Sequence, residues 1–322
     1  MKHFFIVFFY LITQFCTAQV LQQKVLTGIQ LMNIYDLDIN KHSFYADFYL
    51  WFKWKGDINP IDIEFINSIE KWGSTRRVFY EPAKLLPDGY FYNGMRVEAR
   101  FYHAFDLAAF PLDKHELNIH MENNLHPADS LLYVADSNAM FMRKGFALSG
   151  WNILAMKTEE HKNIYPTNLG ETYKSDVAFS NFTFKLNIER PIRYFLLKLF
   201  LPLLITIFIS LSALLISVER TDARISVVMG SLLTAVFLQQ SYSSALPDVG
   251  YMVLMDKIYL LVYLMIMLIM LRVVWVGREL AYNTNFQQIT VKNIDFKITV
   301  ALLLGLFTGI IFFSFINFFI IL

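Results

Sequence analysis

Apolar and polar positions alternate with a period of two in the first half of this chain and merge into long apolar runs in the second. The segment Phe44 to Trp54 (FYADFYLWFKW) is an alternating stretch rich in aromatic residues, and Lys55-Gly56-Asp57 ends it. Pro87-Asp88-Gly89 has the composition of a hairpin-like turn. Met95 to Tyr102, His115 to Glu122, Gly150 to Met156 and Phe179 to Ile188 are further predicted strands. Alternation marks strands with one buried face. Turn signals recur at short intervals and no long helical period intervenes. Residues 19–190 therefore predict an all-β sandwich of immunoglobulin-like layout.

From Ile192 the pattern changes. Four apolar segments follow, at about 194–217, 225–246, 251–276 and 298–321. Each is long enough to cross a bilayer as a helix, which takes roughly 20 residues. The N-terminus carries a third pattern. Lys2, the apolar run FFIVFFYLI and the small-residue end Cys16-Thr17-Ala18 read as a secretory signal over residues 1–18. The alternative is a fifth membrane helix, for which the run is short. With residues 19–190 exported, four crossings over 191–322 return the C-terminus to the outside, extracellular or periplasmic. The inner loops, 217–224 and 277–297, carry Arg220, Arg224, Arg278, Lys292 and Lys297, mixed with acids. That fits the positive-inside tendency only loosely.

The second apolar segment is not uniformly apolar. On a helix turning about 100° per residue, Ser226, Gly230, Leu233, Phe237, Gln240 and Ser244 fall within about 40° of one line. This face is polar at both ends and apolar between, and Gln239, Gln240, Ser241, Ser243 and Ser244 crowd one end. Polar groups at membrane depth face a bundle interior or an aqueous cavity, so the stripe is predicted to line a water-filled pore.

Composition narrows the function. The 322 residues carry a formal net charge of +1 and are 56% hydrophobic. That balance gives no reason to expect a nucleic-acid partner and fits contact with membrane lipids. Cys16 is the only cysteine and would leave with the signal, so the exported part is expected to use no disulfide. There is no nucleophile elbow, no phosphate loop and no cofactor motif, and His115-Glu116 is not part of an HExxH helix. No metal site is expected. His115 and His120 are five apart on a strand and so face opposite sides. Glu159-Glu160 reads as a solvated acidic turn before it reads as a weak calcium site.

Several segments together resemble the pentameric ligand-gated ion channels, the Cys-loop receptor superfamily, and in particular its prokaryotic members. FPLDKHEL (Phe110 to Leu117) looks like the signature loop, without its flanking cysteines. GWNI (Gly150 to Ile153) looks like the strand after it, and DFYLWFKWKGD (Asp47 to Asp57) like an earlier one. ERPIRYFLLKLFLPLLI (Glu189 to Ile205) looks like the junction into the first membrane helix. LPDVGYMVLMDKIY (Leu246 to Tyr259) is similar to the linker and third helix of animal glycine and GABA receptors. Each motif alone is weak. Their order, followed by a four-helix tail, is specific.

The resemblance implies a homopentamer whose second membrane helices surround a pore. Leu233 and Phe237 then form apolar rings that gate by dewetting, where ordinary helix packing is the alternative. Gly230 stands where the family often has a hydroxyl. Asp222, with Glu219, implies acidic rings at the inner mouth and permeating monovalent cations; the alternative is a solvated loop in which Asp222 pairs with Arg220 or Arg224. Arg224 would oppose cations if it faced the pore. Coupling to the gate is implied at Asp38, Phe110, Pro111, Asp113, Arg190, Pro247 and Asp248, with Asp38, Asp113 and Arg190 at positions of an ion-pair cluster.

The ligand site is implied between subunits near a hairpin at Lys157 to Asp176. Its candidates are Tyr49, Trp51, Phe65, Asn67, His126, Tyr165 and Tyr173, and each is equally readable as sandwich core or surface. The agonist would be a small molecule or, given His103, His115, His120, His126 and His161, protons. An anion-selective channel of the same family and a non-conducting membrane-anchored sensor remain open as alternatives.

Overall fold

The computed structural model describes residues 22–70, 73–167, 177–282 and 288–320. The expected signal over residues 1–18 and the candidate Tyr173 lie outside them. The strands are β1 (Gln23–Asp38), β2 (Ser43–Trp54), β3 (Ile63–Phe65), β4 (Thr75–Val78), β5 (Lys84–Leu85), β6 (Phe91–Tyr102), β7 (Lys114–Asn123), β8 (Leu131–Met142), β9 (Asn152–Tyr165) and β10 (Val177–Glu189). One sheet runs β4-β6-β2-β1-β8, with β5 also on β6; the other runs β3-β7-β10-β9. Every pair is antiparallel except β1 with β8.

The alternation of β2 explains the sandwich. Phe44, Ala46, Phe48, Leu50, Phe52 and Trp54 are all buried, while Tyr45, Tyr49, Trp51 and Lys53 lie on the half-open face. Phe48 meets Phe65 edge-on at 5.7 Å between centroids, and Phe65 meets Phe101 at the same distance. These rings join the two sheets, because Phe65 belongs to β3 in one and Phe48 and Phe101 to β2 and β6 in the other. Edge-to-face pairs of this kind add to the transfer free energy of the buried rings.

Among the described residues, four helices follow that are long and apolar enough to cross a membrane: α1 (Ile192–Ser212), α2 (Thr221–Ser243), α3 (Leu254–Tyr282) and α4 (Gln288–Ile320). In α1 the turns at Phe195–Phe200 widen into a π-helix directly before Pro202. Proline has no N–H to give to the preceding turn, and a wider turn accommodates its ring. Helices α2 and α4 begin earlier than their apolar runs. Thr221 to Arg224 are mostly polar and Gln288 to Lys297 mix polar with apolar residues, so hydrophobicity alone does not register their turns. Asp222 stands in the first turn of α2, where a carboxylate suits the positive end of the helix dipole.

Candidate functional site

Helix α2 has two distinct faces. Arg224, Val228, Ser231, Ala235 and Tyr242 are buried against the rest of the bundle. Asp222, Ser226, Gly230, Leu233, Phe237, Gln240 and Ser244 are all exposed, with Leu233 at 57% and Phe237 at 64%. The two sets lie about 180° apart around the axis. One chain thus leaves uncovered the face whose polar-apolar-polar pattern is anomalous for lipid. Nothing within 4 Å would meet a side chain at Gly230, so this glycine is not explained by packing inside one chain.

Arg224 does not share that face. Its guanidinium is buried and donates to the carbonyls of Ala213 at 2.8 Å and Leu214 at 3.0 Å, and to Asp295 Oδ2 at 2.6 Å. Arg272 of α3 donates to the other oxygen of Asp295 at 2.9 Å. The possible pairing of Arg224 with Asp222 is therefore not the one formed. Sequence reasoning missed Arg272 and Asp295. A usable signal was present, since charged residues in or beside apolar helices need partners. Glu219 is exposed in the turn before α2 and Asp222 at its first turn.

At the opposite end of the bundle, the loop between β6 and β7 sits on the α2–α3 linker. Leu254 donates its backbone N–H to Ala108 O at 2.9 Å, and Leu107 N–H donates to the Tyr251 hydroxyl at 2.9 Å. Phe110 is buried and stacks on Tyr242 at 6.4 Å, and Tyr242 stacks on Tyr259 at 5.3 Å. Asp256 accepts from the Tyr242 hydroxyl and from Val253 N–H, which answers its need for partners near the membrane. Pro111 is buried and follows a cis peptide bond; Pro247 is half-buried and Asp248 exposed in the linker.

Asp113 and Arg190 are brought together, and Asp38 is not. Arg190 Nε donates to Asp113 Oδ1 at 2.7 Å, and its guanidinium lies 4.4 Å from the Trp151 ring centre and 5.1 Å from that of Phe110. His115 Nε2 is 2.8 Å from Asp113 Oδ2. The carboxylate is thus shared between an arginine and a histidine, both contacts made in the dry interior, where each is stronger than at the surface. His115 and Trp151 were not assigned to this cluster from sequence. Asp38 instead accepts from Asn40 and Lys41 N–H and pairs with Lys41 Nζ at 3.5 Å. The Lys41 backbone bond is the main cause that lowers its pKa. Next to the cluster, His103 packs edge-on against Phe105 at 4.6 Å and His115 at 5.6 Å. Burial pushes its imidazole down to about 4, helped by His115 and His42.

The remaining candidates are scattered over the sandwich. Tyr165 lines a cleft of about 200 Å³ with Glu64, Ile66, Glu122, Asn123, Asn124 and Phe179. Its hydroxyl donates to Glu122 at 2.9 Å; burial and that bond raise its pKa. Phe65 is core rather than cleft lining. Asn67 spends its amide on Asn118 O, Tyr102 O and His120 N–H, tying the segment after β3 to β6 and β7. His126 donates its N–H to Asn123 Oδ1 at 2.6 Å. Tyr49 lies beside Phe79 and under Arg96, while the Trp51 indole N–H reaches Asp136 at 3.2 Å. The structure of one chain brings none of Tyr49, Trp51 and Asn67 to the Tyr165 cleft.

No family model matches the chain. It is similar to the gamma-aminobutyric acid receptor subunit theta of Mus musculus, 24% identical over 204 residues, which are 63% of this chain and 30% of that one. It is also similar to the gamma-aminobutyric acid receptor subunit beta-4 of Gallus gallus, 22% identical over 63% of this chain and 39% of that one. The proton-gated ion channel of Gloeobacter violaceus is 22% identical over 258 residues, 74% of this chain and 68% of that one. The chain thus spans only about a third of the length of these two receptor subunits, 30% and 39%. All three relatives are proteins of the pentameric ligand-gated ion-channel family, and none is an enzyme. Four apolar helices below an N-terminal sandwich make this a multi-pass membrane protein with the sandwich on the extracellular side.

Proposed function

We propose that this relative of the pentameric ligand-gated ion channels forms a homopentameric, cation-selective channel in an inner or plasma membrane. In this reading residues 1–18 are a signal, 19–190 the ligand-binding domain and 191–322 the pore domain. The observation that carries it is the open face of α2. Leu233 and Phe237 stand exposed at its centre, Asp222 at its inner end, and Arg224 is buried away from it. Five such faces around an axis enclose a path with an apolar constriction and an acidic mouth. An apolar ring blocks ions by dewetting, and a carboxylate ring favours cations.

A small molecule or protons acting on the sandwich would reach the gate through mechanical contact. The contacts available are Phe110 on Tyr242, Ala108 and Leu107 on the α2–α3 linker, and Arg190 on Asp113. An element with two arrangements at this junction is what coupling physically requires.

The reversal potential in a salt gradient tests the reading. Purified protein is placed in planar bilayers with Leu233→Ala alongside, a truncation expected to weaken the constriction and give current without agonist. Reversal near the cation equilibrium potential is the expected result, and Asp222→Ala should move it toward zero. Reversal near the chloride potential would contradict the selectivity. An unchanged potential in Asp222→Ala would remove that residue from the role.

A further inference from the structure

We propose that Asp295, on α4 and remote from the open face of α2, determines ion selectivity by holding Arg224 out of the pore. The inference rests on the pore reading above and adds a selectivity-determining residue to it, one that acts by position.

Asp222 and Arg224 are two residues apart on the first turns of α2, at the level of the proposed inner mouth. An arginine there has an easy alternative to burial. Its long stem lets the guanidinium snorkel to the nearest water. A pore mouth is such water, and in it each Arg224 would cancel the charge of one Asp222. Arg224 instead is 1% exposed and points back into the bundle. Three acceptors hold it: two carbonyls just beyond α1, at Ala213 and Leu214, and Asp295. The carbonyls carry only partial charge, from the negative end of α1. Asp295 supplies the full one.

The cluster has no charge to spare. Two guanidiniums, Arg224 and Arg272, share one carboxylate, which leaves a net charge of +1. Arg224 Nη1 and Arg272 Nη2 are buried without a hydrogen-bond partner. Removing the carboxylate leaves the two guanidiniums facing each other with no counter-charge between them. One must leave. Arg272 keeps the face of Trp275, 4.9 Å away. Arg224 keeps the carbonyls of Ala213 and Leu214, which carry only partial charge. It is the member expected to move, and in moving it places a cation beside Asp222 in every subunit.

The test measures sodium-to-chloride permeability ratios from reversal potentials, in the Leu233→Ala background, with surface pentamers confirmed for each variant. Asp295→Asn should lower the ratio by roughly fivefold or more. Arg224→Lys should shift it the same way, since a single ammonium cannot satisfy three separated acceptors as a planar fork does. That variant leaves Asp295 paired with Arg272, so it carries the test if Asp295→Asn does not assemble. Adding Arg224→Gln to Asp295→Asn should return the ratio to its starting value. Assembled Asp295→Asn and Arg224→Lys channels with the parental ratio would overturn the proposal while leaving the channel intact. Intact pentamers of the Leu233→Ala parent that pass no current would overturn the pore reading, and this inference with it.

Discussion

Arg190, Asp113 and His115 show how a few side chains at a junction acquire tight geometry. Asp113 is 1% exposed and has one oxygen for each partner. Withdrawing one partner leaves the carboxylate underserved in a dry site, so the cluster has few stable alternatives. His103 beside it supplies a pH-dependent element. Its folded pKa is about 4, below the usual imidazole value of 6.5, because the charged form is poorly solvated. Between those values the unfolded chain binds more protons than the folded one. The stability associated with neutral His103 is thus complete above about pH 6.5 and lost as pH falls through 4. Thermal unfolding of the full chain in detergent should therefore weaken by on the order of 1–3 kcal/mol across that window, and His103→Phe should flatten this part of the dependence. Equal slopes for the two proteins would show that His103 does not contribute.

Elements were legible where one period dominates. The alternation of Phe44 to Trp54 gives β2 within a residue, and Phe179 to Ile188 lies inside β10. The ends of α2 and α4 were not legible, because polar turns extend helices that hydrophobicity locates by their middles. Candidate chemistry divided the same way. The uncovered stripe of α2 follows directly from spacing along one helix. The partners of Arg224 and of Asp113 come from elements distant in sequence, and no local period reports them. Phe65 illustrates the cost of reading an aromatic residue without its neighbours: its ring is packed between Phe48 and Phe101. That packing sets the strength of the sandwich. Phe48→Ala removes a fully buried ring and should cost about 3–5 kcal/mol. Phe79→Ala, at a residue 40% exposed, should stay near 0.5 kcal/mol in the same thermal unfolding series. Similar losses at both positions would mean that the rings between the sheets do not form the stability core.

In an assembly of several chains, the face of α2 that meets water decides whether the molecule conducts. One chain covers Val228, Ser231 and Ala235 and leaves Ser226, Phe237 and Gln240 open. The sole cysteine of the sequence is Cys16, in the expected signal, so introduced thiols report against a quiet background. The most direct measurement places a single cysteine at each of these six positions in Leu233→Ala channels and follows the current while a charged thiol reagent is applied. Rapid, irreversible block is expected at positions 226, 237 and 240, and little change at 228, 231 and 235. Block spread evenly over both sets, or confined to the buried one, would contradict the claim that this face of α2 lines an ion path.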